Sequence, residues 1–150
     1  MAMHSDFRIE TAREADIPMI LEILHSCADS LPALSQEGFL ALLQRNIRRG
    51  SALTLRLDTR VSGICVWSPI LRRISLLAVH RDSRGMGLAS ALLAETLRRM
   101  PPGDVTVETF RDGDSRGRAA LALYRKFGFQ HDSLPEGFEI PMQILRLCRD

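Results

Sequence analysis

Lysine is nearly missing from this 150-residue chain: Lys126 is the only one among 20 basic residues, and the rest are arginine. Against 18 acidic residues they leave a formal net charge of +2, too small to point to nucleic acid as a partner. The one cluster that could argue otherwise, Arg45, Arg48 and Arg49, sits where a helix would end and reads as a solvated face that complements the helix dipole. The three cysteines, Cys27, Cys65 and Cys148, are odd in number and lack metal-site spacing. That excludes a disulfide framework and suits a reduced, cytoplasmic setting. No run of 18 apolar residues occurs, and residues 1–6 lack a signal-peptide pattern, so the expectation is a soluble protein with no membrane partner. A Gly-Lys-Ser/Thr triplet is absent, which excludes a P-loop. Repeats and low-complexity segments are absent too. What remains is ordinary: 45% hydrophobic and 25% charged residues, in a length that suits one domain over 1–150.

Ser75 to Met100 is the most informative stretch. Leu76, Leu77, Ala78 and Val79 form a short apolar run, as in a covered strand. His80 to Arg84 are polar and make a turn. From Met86 on, Ala89, Leu92, Leu93, Leu97 and Met100 recur at helical spacing, until Pro101, Pro102 and Gly103 stop the helix. Gly85 and Gly87 fall where this helix begins, where amide N–H groups have no intrahelical partner and a missing Cβ admits close approach. Free donors, the positive end of the dipole and the Arg84 guanidinium together suit an anion, so this is read as a phosphate cradle.

In chain order, Phe7–Arg13 alternates as a first strand. Asp16 is placed to cap the following helix, with Pro18 in its first turn and Ile17, Ile20, Leu21, Leu24 and Cys27 on its apolar face. Residues 30–35 are a break, and Gln36 to Arg49 is a second helix closed by Gly50. Ala52–Leu57 and Val61–Trp67 read as an antiparallel pair, with Trp67 in the core. The pivotal strand begins near Arg73. Val105–Phe110 is a strong strand after the loop helix, and strand, helix and strand in this order imply a right-handed crossover with parallel strands. Arg118 to Phe127 is a helix with Ala119, Leu121, Ala122 and Leu123 available for burial. A short strand around Gln130–Asp132 and a last one over Glu139–Leu147 complete the order β-α-α-β-β-β-α-β-α-β-β.

Two segments carry a family resemblance. Arg84-x-x-Gly87-x-Ala89 resembles the Gln/Arg-x-x-Gly-x-Gly/Ala signature of the GNAT superfamily of N-acetyltransferases. Ala120-x-x-Leu123-Tyr124-x-Lys126-x-Gly128-Phe129 is similar to a second segment of that family. The order of elements is also the GNAT order. The resemblance implies a mixed α/β fold: a central sheet flanked by helices, in which the two parallel strands, here Leu76–Val79 and Val105–Phe110, splay apart. It implies acetyl-coenzyme A (CoA) as cofactor, with the pyrophosphate held by Arg84, Gly85, Met86, Gly87, Leu88, Ala89 and Ser90. Backbone groups of Leu77, Ala78 and Val79 would hold the pantetheine arm, and an N–H near Ala78 would serve as an oxyanion donor. Tyr124, the only tyrosine, would aim its hydroxyl at the CoA sulfur as general acid. A homodimer is a habit of the family.

The expected activity is acetyl transfer to a primary amine of a small molecule or peptide. An alkyl ammonium with a pKa near 10.4 loses its proton at pH 7 only at a cost of roughly 4–5 kcal/mol, so a base must assist. Relatives often carry a glutamate near the start of the fourth strand, where this chain has Arg73. Glu108 on the neighbouring strand is the best substitute, and His80 is a second candidate. Two further departures are Gly117, where relatives often have a cofactor-contacting asparagine, and Arg81 in place of a proline. Acceptor choice would fall to Cys27–Glu37 and Asp132–Glu139, whose Asp29, Glu37, Asp132, Glu136 and Glu139 suit a cationic amine. Gly85-x-Gly87-x-x-Ser90 also approximates a dinucleotide fingerprint, with Glu108 near the ribose-binding spacing. However, the third glycine is missing and five polar residues precede Gly85, where a tight turn is needed. A non-catalytic CoA-binding module on the same fold is the other alternative, since fold does not fix function.

Overall fold

Among the described residues six alternating or apolar segments, with the polar Gln130–Ser133, become seven strands of one sheet, and four segments of helical period become the helices that cover it. The computed structural model describes residues 7–31, 36–135 and 142–150. Its elements are β1 (Phe7–Thr11), α1 (Ile17–Ser26), α2 (Gln36–Arg49), β2 (Ala52–Leu57), β3 (Arg60–Ser68), β4 (Arg73–Val79), α3 (Leu88–Arg99), β5 (Val105–Phe110), α4 (Arg118–Lys126), β6 (Gln130–Ser133) and β7 (Met142–Leu147). The expected order of elements is thus the observed one, with short 3₁₀ turns at Glu14–Asp16, Ala28–Ser30, Arg81–Ser83 and Ser115–Gly117. The sheet runs β1-β2-β3-β4-β5-β7-β6. Among the described residues β4 and β5 are its parallel pair, and the other neighbours are antiparallel.

β2 and β3 are buried along almost their whole length because helices cover both faces of the sheet there. On one face Leu92 and Leu93 of α3, with Leu121 and Tyr124 of α4, pack against Leu53, Leu55, Trp67 and Val107. On the other, Ile20, Ile23 and Leu24 of α1 and Leu43 of α2 pack against Ile64, Val66 and Leu76. Trp67 and Phe129 are core residues, at 4% and 2% exposure.

Several local expectations need correcting. Asp16 precedes α1, but its carboxylate makes no cap bond to that helix. Instead Oδ2 accepts from Arg13 N–H at 2.9 Å, and Oδ1 accepts from Arg56 Nη2 at 2.8 Å, inside the fold. A buried guanidinium needs a partner charge more than a helix terminus needs its cap, so the ion pair wins. The apolar face of α1 is Ile20, Ile23, Leu24 and Cys27, with Ile17 only half-buried; the helix is rotated toward Ile23. Ala119 and Ala122 are exposed, because α4 has sheet beneath one narrow side only, through Leu121 and Tyr124. Helix α3 starts at Leu88, so Met86 is in the loop and 48% exposed. Residues 32–35 of the break, residues 139–141 of the last strand, and Glu136 and Glu139 lie outside the described residues.

The feature that makes the site is in β4. Trp67 of β3 pairs with Ile74, but the preceding residue, Val66, pairs with Leu76, so Ser75 is an extra residue in β4. A bulge of this kind bends a strand and ends its regular pairing. It also resets the alternation: Ile74 faces α3 and α4, Leu76 and Ala78 face α1, and Leu77 and Val79 face α3 and α4 again. Pairing between β4 and β5 stops at the same point, with only Arg73 to Thr106 and Ile74 to Val107 in register. Beyond the bulge β4 keeps β3 as a neighbour through Val79, and β5 keeps β7 through Phe110, so the two strands splay apart.

Candidate active site

The splay leaves two adjoining clefts. The larger, of about 260 Å³, runs from the gap between the strands to the start of α3, between Arg84, Gly85 and Gly87 on one side and Arg116, Ala120 and Leu123 on the other. The smaller, of about 60 Å³, lies deeper along β5, with Ser75 and Glu108 on opposite strands. Ser30, Leu31, Leu77, Ala120 and Tyr124 belong to both walls, so the clefts meet at Tyr124.

Most of the residues expected to hold the cofactor are found together. Leu77, Ala78, Val79, Arg84, Gly85, Gly87, Leu88, Ala89, Ser90 and Tyr124 all line the larger cleft. Met86 does not, which leaves only its backbone to the loop. Gly85 and Gly87 have φ of +81° and +75°, a conformation that costs an L side chain about 1–2 kcal/mol. A Cβ at either would meet no protein atom within 4 Å, so the space beside both is open to a ligand. The first hydrogen bond inside α3 runs from Ala91 N–H to Gly87 O at 3.1 Å. The amides of Leu88, Ala89 and Ser90 therefore have no partner within the helix and point along its positive end. The loop is pinned from behind by α1, whose Ser26 hydroxyl accepts from Arg81 N–H at 3.1 Å. No carboxylate lines this cleft among the described residues, while Arg84 and Arg116 do. This donor set fits the pyrophosphate and pantetheine arm of CoA.

The register corrects one detail of the backbone reading. His80 N–H bonds Ser62 O on β3 at 2.8 Å, and Trp67 N–H bonds Ser51 O on the β2 side at 3.1 Å. Hydrogen bonding alternates along an antiparallel strand, so Ala78 exchanges its bonds with Ile64 of β3. Leu77 and Val79 turn theirs away from β3, into the gap. The backbone donors and acceptors available to a ligand are therefore those of Leu77 and Val79, while Ala78 contributes to the wall.

Tyr124 is buried at 4% exposure, with its ring edge-on to Phe129 at 5.4 Å. Burial pushes its phenol well above the ordinary value, with the nearby Cys65 adding to the shift, so the hydroxyl keeps its proton throughout the neutral range. No buried side-chain polar atom is left unpaired and no side chain bonds this hydroxyl among the described residues, so it opens onto the clefts. Such a group can give a proton and cannot act as a base.

Glu108 is half-buried in the smaller cleft and is the one carboxylate in that wall among the described residues. His80 lines neither cleft; its Nδ1 already accepts from Asp82 N–H at 3.1 Å. Arg73 is exposed and lies where β4 and β5 are still paired, outside both walls. The β4 residue that faces the smaller cleft at the bulge is Ser75.

Among the wall residues that no motif announces are Cys27, Ser30, Leu31 and Arg116. The first three come from the end of α1 and the turn after it, which the fold brings beside β4. Cys27 donates to Ile23 O at 3.1 Å, and burial pushes its thiol up against the opposing pull of Arg84, so it is a neutral wall residue.

Comparison with known proteins agrees with this geometry. The model of a family described as "Acetyltransferase (GNAT) domain" matches residues 48–131. The chain is similar to the structure of Ard1 from Thermoplasma volcanium, at 25% identity and a TM-score of 0.76, over 95% of this chain and 97% of that one. It is similar to yncA, a putative acetyltransferase from Salmonella typhimurium with its cofactor acetyl-CoA, at 19% identity and a TM-score of 0.74, over 97% and 95% of the two chains. It is also similar to the ribosomal-protein-S18-alanine N-acetyltransferase from Escherichia coli, at 18% identity and a TM-score of 0.72, over 96% and 94%. No curated protein matches the chain significantly.

Proposed function

This chain belongs to the GNAT acetyltransferase family, and on that premise we propose that it moves the acetyl group of acetyl-CoA to a primary amine of a small molecule or peptide. The observation that carries the reading is the meeting of two clefts at Tyr124: one built for the cofactor, the other holding a lone carboxylate. Acetyl-CoA supplies a thioester acetyl group, already activated toward an amine. The phosphate end is held by Arg84, the glycines and the amides of Leu88 to Ser90, which leaves the acetyl end between Leu77 and Tyr124. An N–H of Leu77 or Val79 can receive the charge that develops on the thioester oxygen.

Glu108 takes the proton that the ammonium must lose, directly or through a water held between it and Ser75. The new bond is between nitrogen and the acetyl carbon, and the bond that breaks is carbon to sulfur. Tyr124 Oη gives its proton to the departing sulfur and regains one from the new amide nitrogen, which sheds its second proton as the carbon–sulfur bond breaks. The wall of the smaller cleft carries no cation among the described residues. An amine standing beside its own free carboxylate finds no partner for that carboxylate among the described wall residues, which favours peptide N-termini and simple alkyl amines over free amino acids. Asp29, which precedes the shared wall residue Ser30, is exposed, and so is Glu37. Asp132 is held by Arg146 at 3.0 Å and contributes little attraction of its own.

The test is acetyl-CoA turnover over a panel of alkyl amines, polyamines, free amino acids and peptides. Glu108→Gln should lower kcat about 100-fold or more on the best acceptor and leave CoA affinity unchanged. Undiminished kcat in that variant would remove Glu108 from proton transfer. Turnover of free amino acids above peptides and alkyl amines would overturn the acceptor class.

A further inference from the structure

Arg116 stands on the wall of the cofactor cleft across from Arg84. Its guanidinium carbon lies 4.4 Å over the centre of the Phe110 ring, at the end of β5. On one side it is gripped by Asp114: Nε donates to Oδ1 at 2.9 Å and Nη2 donates to Oδ2 at 2.6 Å. Asp114 Oδ1 also accepts from the Arg116 backbone N–H at 3.0 Å, closing the 3₁₀ turn that precedes α4. The remaining nitrogen, Nη1, has no partner among the described residues. The next residue is part of the same arrangement. A Cβ at Gly117 would stand 2.7 Å from Phe110 Cβ, so the residue whose ring supports Arg116 leaves no room for a side chain at 117.

We propose that Arg116 is a second phosphate-holding residue of the cofactor cleft, closing on the phosphates of CoA from the α4 side while Arg84 and the glycine loop hold them from α3. The proposal rests on the larger cleft being the CoA site. A guanidinium is the side chain best matched to phosphate, through a planar set of donors and a charge that survives at any working pH. Here the stacking ring and the carboxylate fix that plane before any ligand arrives, so little rotamer freedom is lost on binding. Asp114 cancels part of the charge. That sets the expected effect near the lower end for a charge-assisted contact, and it leaves Nη1 as the donor that a phosphate oxygen would take. The Arg116 fork holds the Asp114 carboxyl down at about 2, so the brace persists at any pH where the enzyme would be assayed. The α4 side has no other cation on the cleft wall among the described residues.

Arg116→Ala and Arg116→Gln should each weaken CoA binding about tenfold by calorimetric titration. The gap from the unmodified protein should narrow as salt rises from about 50 to 500 mM, because an exposed ionic contact is screened. Binding of pantetheine, which has no phosphate, should be the same in all three proteins, and so should the melting temperature, since Arg116 is exposed. Unchanged CoA affinity would overturn the proposal, as would a loss shared equally by pantetheine, which would make Arg116 a support for the wall. An unmodified protein that binds no CoA at all would remove the cofactor reading first, and this proposal with it.

Discussion

In the proposed function Tyr124 is both a core residue and the general acid. Its ring belongs to the larger apolar cluster, against Phe129, while its hydroxyl lies at the junction of the two clefts. The shift that burial imposes makes it a poorer spontaneous acid in the ground state, and in the proposed mechanism the proton would leave only when a basic sulfur stands beside it. A thiolate, with a conjugate acid near 8.5, is a fair leaving group even unprotonated, so the gain from protonation is modest. Tyr124→Phe keeps the ring and its packing. It should therefore lower kcat about 10- to 100-fold while CoA affinity and melting temperature stay close to those of the unmodified protein. Full kcat with chemistry rate-limiting would return the residue to packing alone and favour a CoA-binding module without catalysis.

At the scale of elements, α3 is held at both ends by different means. Its start is left open, with glycines in the left-handed region and amides free for an anion. Its end is closed by Arg149, near the C-terminus, whose Nη1 donates to Leu97 O at 2.8 Å and Nε to Gly103 O at 2.9 Å, with Nη2 on Pro101 O. Pro101 has no N–H to give Leu97 O, and the guanidinium satisfies that last-turn carbonyl while tying down Pro101 and Gly103 beyond the helix. Along the helix Glu95 is held down at about 2 by hydrogen bonds from Arg98 and then Arg99. This is a surface pairing worth at most about 1 kcal/mol, and it is lost only as pH falls from the usual carboxylate range through about 2. Arg149 is the stronger anchor. Arg149→Ala should cost about 1–3 kcal/mol and lower the melting temperature by several degrees without touching CoA affinity, because the cradle is at the opposite end of the helix. A melting curve that does not move would mean that water replaces the clasp at no cost.

On the scale of the whole molecule, the sheet is two half-sheets, β1 to β4 and β5 to β6, joined by two residue pairs and by the helices above them. The larger cleft occupies the seam where strand pairing has been given up. Backbone bonds are absent between Val79 and Phe110, and in the proposed function a bound pantetheine arm would supply them and so complete the sheet. CoA at 100 times its dissociation constant should add about 2.7 kcal/mol to stability, or roughly 5–10 °C in melting temperature for a chain of this size. Hydrogen exchange should slow most at Leu77 and Val79. Protection confined to the α3 loop would show that the ligand binds by its phosphates alone and does not bridge the seam.

The open, arginine-flanked start of α3 was legible in the sequence because its conformation is local. Two glycines with an arginine before them, at the start of an amphipathic helix, determine the free amides, the open space and the charge within six residues, wherever the rest of the chain goes. Tyr124, as the sole tyrosine in a recognisable segment, was legible for the same reason, and so was the order of elements, through the period of each apolar pattern. Register across the sheet was not. The extra residue at Ser75 decides that Leu77 and Val79, and not Ala78, turn their backbone into the gap. It also puts Ser75 and Glu108 on opposite walls of the smaller cleft, while Arg73 is left on paired strand outside it. Gly117 read as a missing contact until the fold set Phe110 against it and Arg116 over the ring. These are relations between residues on different strands and helices, fixed by which side chains can share one volume. Only the packed tertiary structure contains that information.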